Sequence, residues 1–303
     1  LGALLAAAAG PLRAASRETI VLGQTLAIGA GSDGAAQRII DGAKACVGAV
    51  NAQGGVNGRA IELITLDGGR DPAAHAKNVR ALVGEHGAVA VLNCAGDAIC
   101  TAVAGASREL KVPFVGPMSS MEELQRSHSR HFFPVRASNV KQAEALARQL
   151  LAMGITRAVI VTDQPARSER AEVLKPLLEV NRISSRLIAV DPANPVTFDS
   201  AIRALAGAPF QAAVLDLQPD TIDKLSERGV TDRPEWPRML ASFATLGLVG
   251  LSGAFKERII GFANVVPHPE DRGVPLAQEL QRNAEKYSTG YAVNFEGMEA
   301  FVN

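Results

Sequence analysis

The chain has 303 residues, enough for about two domains, and its hydrophobic content of 47% is ordinary for a globular protein with a full core. Lys and Arg together number 31, as do Asp and Glu, so the formal net charge is zero. Without a basic excess, the composition argues against nucleic acid as the main partner. Aromatic residues make up only 4% of the chain, so a ligand pocket would have few rings for stacking.

The first residues have the composition of the end of a secretory signal peptide. A Leu/Ala run over residues 1–10 is too short to span a membrane as a helix, and small residues follow it, with Ala14 and Ser16 just before Arg17. We expect cleavage after Ala14 or Ser16 and export to the periplasm, without a lipid anchor, because no Cys lies near the cut. The alternative is the Ala-rich end of an ordinary helix.

The three cysteines are Cys46, Cys94 and Cys100. Their spacing matches no zinc-binding pattern and no His is near enough to complete one, so we expect no metal site. In an oxidising compartment Cys94 and Cys100 could form a disulfide. Three reduced thiols in the core remain the alternative.

Predicted strands and helices alternate along the chain. A helix over residues 35–51, for example, follows from apolar residues that recur every three or four positions. The predicted strands are 19–28, 61–66, 88–92, 112–115, 157–162, 184–190, 212–217 and 259–266. Further helices are predicted from Pro72 onward and over 98–110, 140–153, 168–180, 197–206, 220–229, 274–287 and 294–303. This alternation predicts parallel sheets covered by helices on both faces.

Eight or more such units could close into a single barrel. We favour two doubly wound parallel-sheet lobes joined by a multi-strand hinge, because H-F-F-P-V-R-A-S (131–138) has the character of a crossing segment between two similar halves. After the signal peptide remnant (1–16), the first lobe is predicted to hold 18–137 and 264–303, and the second lobe 138–263. The sequence stops within the last predicted helix, so we expect the C-terminus to be truncated.

The most specific pattern lies in residues 50–72, which read V-N-A-Q-G-G-V-N-G-R, an apolar strand, and D-G-G-R-D-P. This closely resembles the branched-chain amino acid (Leu/Ile/Val) binding proteins, a group of type I periplasmic binding proteins. Their pattern is I-N-A-x-G-G-x-x-G-R, an apolar strand, and D-D-x-x-D-P. Here Gly68 replaces the second Asp. The K-V-P-F-V strand at 111–115 and the F-P-V-R-A-S segment at 133–138 also resemble parts of that family.

The resemblance implies the hinged fold of a type I periplasmic binding protein and a receptor without catalytic activity. Such a receptor closes on a small polar ligand, here an amino acid-like compound, an amide or a small carboxylate, and delivers it to an ABC permease in the membrane. We expect a monomer without a cofactor.

Candidate ligand-binding residues lie where the predicted strands end, because ligands of open α/β sheets bind beyond the carboxyl ends of strands, beside helix N-termini. The resemblance implies that backbone amides and hydroxyls of two first-lobe loops bind an amino acid's carboxylate. By position, the first-lobe candidates are Gly96, Asp97, Ser119 and Ser120. The second-lobe candidates are Gln164, Arg167, Gln218, Ser242 and Phe243.

Several candidates have a second interpretation. Asp97 departs from the family pattern, since it would repel a carboxylate, and it could instead cap the helix that begins at Ala98. Ser119 and Ser120 could cap the turn that follows them. Arg167 could pair with a carboxylate or be a solvated surface residue. The second-lobe loops also lack the tyrosine of the family's D-x-x-Y-G segment and an acidic partner for a ligand amine.

Two other functions remain to be considered. An NAD-type Rossmann enzyme is suggested by G-x-G-x-x-G at 29–34, between a strand and a helix. However, Asp33 would place a negative charge beside the pyrophosphate, and Asp67 lies well beyond the spacing of about 20 residues expected for the ribose-binding acid. A ligand-sensing regulator of the same fold would need an N-terminal pair of DNA-reading helices, where this chain has the signal-like run.

The sequence contains no hydrolase or zinc-protease motif and no series of nucleophile, base and orienting residue. The five histidines are scattered, and we expect His75 and His86 to be solvated. We therefore predict that the protein is not an enzyme.

Export can be tested by mass spectrometry of the protein purified from its native host. We expect a mature N-terminus near Ala15 or Arg17, because the small residues before these positions suit signal peptidase. Recovery of the intact segment 1–16 on the purified protein would contradict export by this route.

Overall fold

The computed structural model describes residues 19–29, 34–126, 130–163, 168–207, 209–243, 254–255, 258–263, 265–290 and 292–303. Two five-stranded sheets form its frame, and every pairing between their strands is parallel. The first sheet has the order β2-β1-β3-β4-β5, with β1 (Ile20–Leu26), β2 (Ile61–Asp67), β3 (Ala90–Leu92), β4 (Phe114–Val115) and β5 (Phe132–Phe133). The second has the order β10-β9-β8-β6-β7, with β6 (Arg157–Thr162), β7 (Ser184–Ala189), β8 (Ala212–Asp216), β9 (Met239–Ser242) and β10 (Ile259–Phe262).

Helices connect the strands, as parallel pairing requires. They are α1 (Ala35–Ala52), α2 (Pro72–Gly84), α3 (Asp97–Leu110), α4 (Glu122–Gln125), α5 (Asn139–Ala152), α6 (Glu169–Val180), α7 (Pro195–Ala206), α8 (Pro219–Glu227), α9 (Pro275–Tyr287) and α10 (Phe295–Val302). The prediction of an α/β fold with two parallel sheets is confirmed, and the single barrel is wrong. Among the described helices, none is both long and apolar enough to cross a bilayer.

The start of α2 shows how the local sequence sets a helix boundary. The side chain of Asp71 accepts a hydrogen bond from Ala73 N, and Pro72 occupies the first turn, where its missing N–H has no intrahelical partner to lose. Ser138 and Ser168 cap α5 and α6 in the same way. These polar caps explain why most helix starts could be predicted to within two residues.

One difference from the prediction lies in the crossing segment. Phe132 and Phe133 form β5, an edge strand paired in parallel with Phe114 and Val115 of β4, before the chain leaves the first sheet. A strand of two residues is too short to show a repeating pattern, so the sequence did not reveal it.

The two faces of the second sheet bury alternate residues of the same strands. In β6, Val159 and Val161 belong to one hydrophobic cluster, whereas Ala158 and Ile160 belong to another. All four are fully buried. This alternation is what a central parallel strand covered by helices on both faces requires.

The last helix, α10, packs closely against α1. A Cβ atom placed on Gly42 of α1 would lie only 2.1 Å from the carbonyl oxygen of Gly297 of α10, so the two backbones are in direct contact. Ala45 of α1 and Met298 of α10 belong to one buried cluster together with Leu280 of α9. The C-terminal residues are therefore packed on the helical layer of the first sheet.

A buried ion pair joins α10 to the segment between β5 and α5. Arg136 Nε lies 2.7 Å from Glu299 Oε1, and Arg136 Nη2 lies 2.5 Å from Glu299 Oε2. The two residues are 7% and 2% exposed, respectively. Burial lowers the pKa of the Arg136 guanidinium, but nearby carboxylates, first that of Glu299, outweigh this effect and raise the pKa above its ordinary value. The Arg136 guanidinium therefore keeps its charge, and its contact with the Glu299 carboxyl group is bidentate.

We expect Glu299→Gln to lower the free energy of unfolding by about 3–5 kcal/mol, because it leaves the Arg136 charge buried without its partner. Glu109→Gln is a matched control, since it breaks the exposed Arg80–Glu109 pair at 2.8 Å. That control should cost at most about 1 kcal/mol. Urea unfolding of both variants measures the difference, and equal effects would contradict the importance of the buried pair.

Candidate functional site

Glu169, the first residue of α6, connects the helix that follows β6 with segments that follow the first sheet. Its Oε1 accepts a hydrogen bond of 3.1 Å from the backbone N–H of Glu122, the first residue of α4. Its Oε2 accepts from Asn139 Nδ2 at the start of α5. The carboxylate of Glu169 thus joins the start of α6 to the starts of α4 and α5.

The β3–α3 loop brings Asp97 to this edge. Gly96 precedes the helix with φ 89°, a backbone conformation that favours glycine, and a Cβ there would meet no atom within 4 Å. The helix begins at Asp97, so the interpretation of Asp97 as the cap of a helix starting at Ala98 is wrong. Its exposed side chain reaches across instead, and its Oδ1 accepts a 2.7 Å hydrogen bond from Ser119 Oγ.

Ser119 and Ser120 are buried behind this edge, at 1% and 6% exposure. The Ser119 hydroxyl donates to Asp97, and Ser120 Oγ accepts a 2.6 Å hydrogen bond from Gln142 Nε2. Neither side chain caps α4, although Met121 N lies 3.4 Å from Ser119 Oγ. The structure therefore brings together Asp97 and Ser119 from two loops, as their positions predicted, but it engages both hydroxyls within the protein.

Asn93 shapes the entry to this loop, and sequence reasoning missed it. It adopts φ 52° immediately after β3, is fully buried, and donates from Nδ2 to Gln24 Oε1 at 3.0 Å. Gln24 in turn donates to Thr65 of β2, and Asn303 Nδ2 donates to Asn93 Oδ1. The signal that could have revealed this network was the presence of amide side chains at otherwise apolar strand positions.

Cys94 and Cys100 form a disulfide across the same loop, with their Cα atoms 5.4 Å apart, which suits disulfide geometry. Both residues are fully buried. The bridge closes the segment that carries Gly96 and Asp97, so it restrains the loop at the site. Cys46 is a free thiol, and burial, followed by the charge of Glu279, raises its pKa.

Asp67 holds the loop after β1. Its Oδ1 accepts hydrogen bonds from Ile28 N at 3.0 Å and from Gly69 N at 2.9 Å. These bonds, that from Gly69 first, lower the pKa of the Asp67 carboxyl. The carboxylate that a dinucleotide enzyme would use for a ribose is thus engaged by backbone N–H groups.

The position of the His75 ring explains why a glycine, Gly68, replaces the second Asp of the pattern D-D-x-x-D-P. Its ring is fully buried, contrary to the expectation of a solvated side chain, with Nδ1 2.9 Å from Thr25 Oγ1 and Nε2 3.0 Å from Gly69 O. A Cβ on Gly68 would lie 2.6 Å from the imidazole ring. The imidazole therefore leaves no room for a larger side chain at position 68.

In the second sheet, Asp216 accepts hydrogen bonds from several polar groups at the end of β8. Its carboxylate accepts from Ser168 Oγ, from Arg170 Nη1 at 2.8 Å and from Thr162 Oγ1 at 3.3 Å. Asp216 is 6% exposed, and the Arg170 charge is directly paired with it. None of these residues was predicted.

Asp163, just after β6, binds the segment that follows β8. Its Oδ2 accepts from Gln218 N at 2.8 Å and from Thr221 Oγ1 at 2.6 Å. Its Oδ1 is buried and has no hydrogen-bond partner among the described residues. The predicted candidate Gln218 is therefore held through its backbone, and its side chain is exposed.

The remaining second-lobe candidates differ in position. Ser242 is 3% exposed and its hydroxyl bonds to Leu215 O at 3.0 Å, while Phe243 is 1% exposed in a hydrophobic cluster. Gln164 and Arg167 lie outside the described residues. Ligand contact by any of these four residues remains a prediction.

A family described as periplasmic binding protein matches residues 23–234. The chain belongs to this family. A comparison with curated protein sequences found no match. The members of this family are solute-binding proteins rather than enzymes, which agrees with the prediction that the chain is not an enzyme and gives no support to a Rossmann enzyme.

Solved structures show the same fold for this periplasmic binding protein. A substrate-binding periplasmic protein from Ralstonia solanacearum has a TM-score of 0.76 and 22% identity, over 93% of this chain and 81% of the other. The branched-chain amino acid transporter substrate-binding protein LivJ from Streptococcus pneumoniae, in complex with isoleucine, has a TM-score of 0.73 and 16% identity over 94% and 81%. An ABC transporter solute-binding protein from R. palustris, in complex with benzoate, has a TM-score of 0.75 and 16% identity, over 94% of this chain and 78% of the other. The predicted type I periplasmic binding protein fold is confirmed.

The disulfide gives a direct test in this binding protein. Thiol counting under denaturing, non-reducing conditions should find one reactive cysteine per chain, Cys46, because Cys94 and Cys100 are joined. A Cys46→Ala control should show none until a reductant is added. Three reactive thiols in protein exported through an oxidising compartment would contradict the bridge.

Proposed function

We propose that the protein is the extracytoplasmic solute-binding receptor of an ABC importer. It captures a small polar ligand in the cleft between its lobes by hinge closure and delivers it to a membrane permease. The observation that supports this proposal is the pair of hydrogen bonds from Glu122 N and Asn139 Nδ2 to Glu169, which join helix starts that follow the first sheet to the helix start that follows β6 of the second sheet. In α/β sheets, ligands bind at such edges.

The geometry of the crossing segment supports closure by a hinge. Arg136 is anchored to α10 by its ion pair with Glu299, and Ser138 caps α5 at the beginning of the second lobe. Pro134 and Val135, just before the anchored guanidinium, are exposed. A few such loop residues between packed elements can absorb the backbone rotation of domain closure.

We base the proposed ligand class on what similar proteins bind. The LivJ protein is in complex with isoleucine, and the R. palustris protein is in complex with benzoate. Proteins of this fold therefore bind amino acids as well as aromatic acids. An amino acid-like compound, an amide or a small carboxylate is therefore our proposal for this receptor. We also propose that it acts in the periplasm as a monomer.

A thermal-shift screen of amino acids, amides and organic acids, followed by calorimetry, tests the receptor function. A true ligand at a hundredfold excess over its dissociation constant should raise stability by about 2.7 kcal/mol. Mass spectrometry of the incubated ligand should recover it unchanged, because a receptor only binds. Conversion of the ligand to a product would contradict the proposal.

A further inference from the structure

The starts of three helices meet beside the segment that crosses between the two sheets. The helix α4 follows β4, α5 follows the crossing segment, and α6 follows β6. Backbone N–H groups in the first turn of a helix have no partner within the helix, so other groups must satisfy them when they are buried. Here, groups from one helix start satisfy the N–H groups of another.

The first turn of α5 is bound by residues that follow β4. The N–H of Asn139 donates to Ser120 O at 2.8 Å, and the N–H of Val140 donates to Glu122 Oε1 at 3.0 Å. In the same turn, Gln142 Nε2 donates to Ser120 Oγ at 2.6 Å. Ser120, Asn139 and Gln142 are only 6%, 3% and 2% exposed. A helix packed on the second sheet is therefore held, through buried groups, by the chain that leaves the first sheet.

Glu169 completes the arrangement from the third helix. Its carboxylate accepts from the N–H of Glu122 at 3.1 Å and from Asn139 Nδ2. Glu122 and Glu169 are the first residues of α4 and α6, where the N–H groups of a helix start stabilise a negative charge. Glu169 thus binds α4, and Glu122 binds α5. We call Ser120, Glu122, Asn139, Gln142 and Glu169 the helix-start junction.

The segment between β4 and β5 is also fixed to the first sheet. Leu124 is 6% exposed and belongs to a buried cluster to which β4 and β5 contribute. Ser119 donates its hydroxyl to Asp97, the first residue of α3. The first sheet therefore holds this segment through Ser119 and Leu124. The helices α5 and α6 hold it through Ser120 and Glu122.

A movement that separated the two sheets at this point would break several of these hydrogen bonds together. Their donors and acceptors are largely buried, so they would lose their partners without gaining water, which is unfavourable. A rotation that keeps the helix-start junction intact breaks none of them. The exposed residues Pro134 and Val135 lie in the crossing segment beside it, where the backbone can turn.

We propose that the helix-start junction is the pivot about which the two lobes of the receptor rotate, and that Glu122 and Glu169 are positioning residues that set the angle between the lobes. The inference rests on the receptor function proposed above and deepens it, because it names the residues that control hinge closure. Neither glutamate needs to touch a ligand for this role, since both act through the helix starts that they hold.

Pulsed electron–electron double resonance on the ligand-free protein tests the pivot. Lys77→Cys on α2 and Asp199→Cys on α7 carry the spin labels, because both positions are exposed and their helices flank different sheets. A Cys46→Ala background removes the free thiol. Glu169→Ala deletes the carboxylate that holds α4 and α5, so it should widen the distribution of distances between the labels. The melting temperature should stay nearly unchanged, because the cores of both sheets are intact.

Two matched controls are available in the same helices. Glu172→Ala on α6 is paired with Glu169→Ala, and Glu123→Ala on α4 is paired with Glu122→Ala, since Glu172 and Glu123 are exposed and their side chains make no described hydrogen bond. Both controls should give the wild-type distance distribution, whereas Glu122→Ala should widen it.

Hydrogen exchange of the ligand-free protein gives a second measurement. The N–H groups of Glu122, Asn139 and Val140 should be protected in the wild type, because a pivot keeps its bonds while the lobes move. In Glu169→Ala the N–H of Glu122 should exchange about tenfold faster, because it loses a charged acceptor. Glu172→Ala should leave its exchange unchanged.

The outcomes separate this inference from the receptor function. An unchanged distance distribution in both Glu169→Ala and Glu122→Ala overturns the pivot, and so does a widening that appears only together with a large fall in melting temperature. If these variants fold poorly, rapid exchange of the Asn139 and Val140 N–H groups in the wild type overturns it, and their protection supports it. Failure of the receptor function appears instead as the absence of any binding compound, which none of these ligand-free measurements requires.

Discussion

The buried ion pair between Arg136 and Glu299 is the constraint on which the rest of the arrangement depends. Two charges taken out of water are tolerated only when their geometry is nearly ideal, and here the guanidinium meets the carboxylate through two bonds. The pair ties the segment that leaves the first sheet to the last described helix. It also places a positive charge near Asp97. One interaction thus connects the crossing segment, the packing of the last described helix and the surroundings of Asp97.

Hydrogen bonds within the protein connect the segments that follow the strands. Ser119 Oγ donates to Asp97, Gln142 Nε2 donates to Ser120 Oγ, and the Glu169 carboxylate joins the start of α6 to the start of α4. Each bond fixes a loop that would otherwise lose conformational freedom on binding, so the site is preorganised.

Most of the fold could be predicted because its elements are long and periodic. The helix at Ala35–Ala52 repeats its apolar residues with helical spacing, and Asp71 with Pro72 marks the start of another. The two-residue strand Phe132–Phe133 has no such pattern and escaped prediction. His75 was expected in solvent because a polar ring on a polar helix is usually exposed, but Thr25 and Gly69 bind both its nitrogens in the interior.

The sequence by itself determined where the loops of the site lie along the chain, because the alternation of strands and helices shows where each parallel strand ends. It placed Asp97 and Ser119 after neighbouring strands, and it suggested the pairing of Cys94 with Cys100 as one of two alternatives. Only the tertiary structure decided what each side chain does there: that Asp97 accepts a hydrogen bond from Ser119, that Phe243 is in the core, and that Asn139 donates to Glu169. The physical reason is that a hydrogen bond forms only when donor and acceptor are positioned to within a few tenths of an ångström. These atoms belong to residues far apart in sequence, so no local pattern encodes their positions.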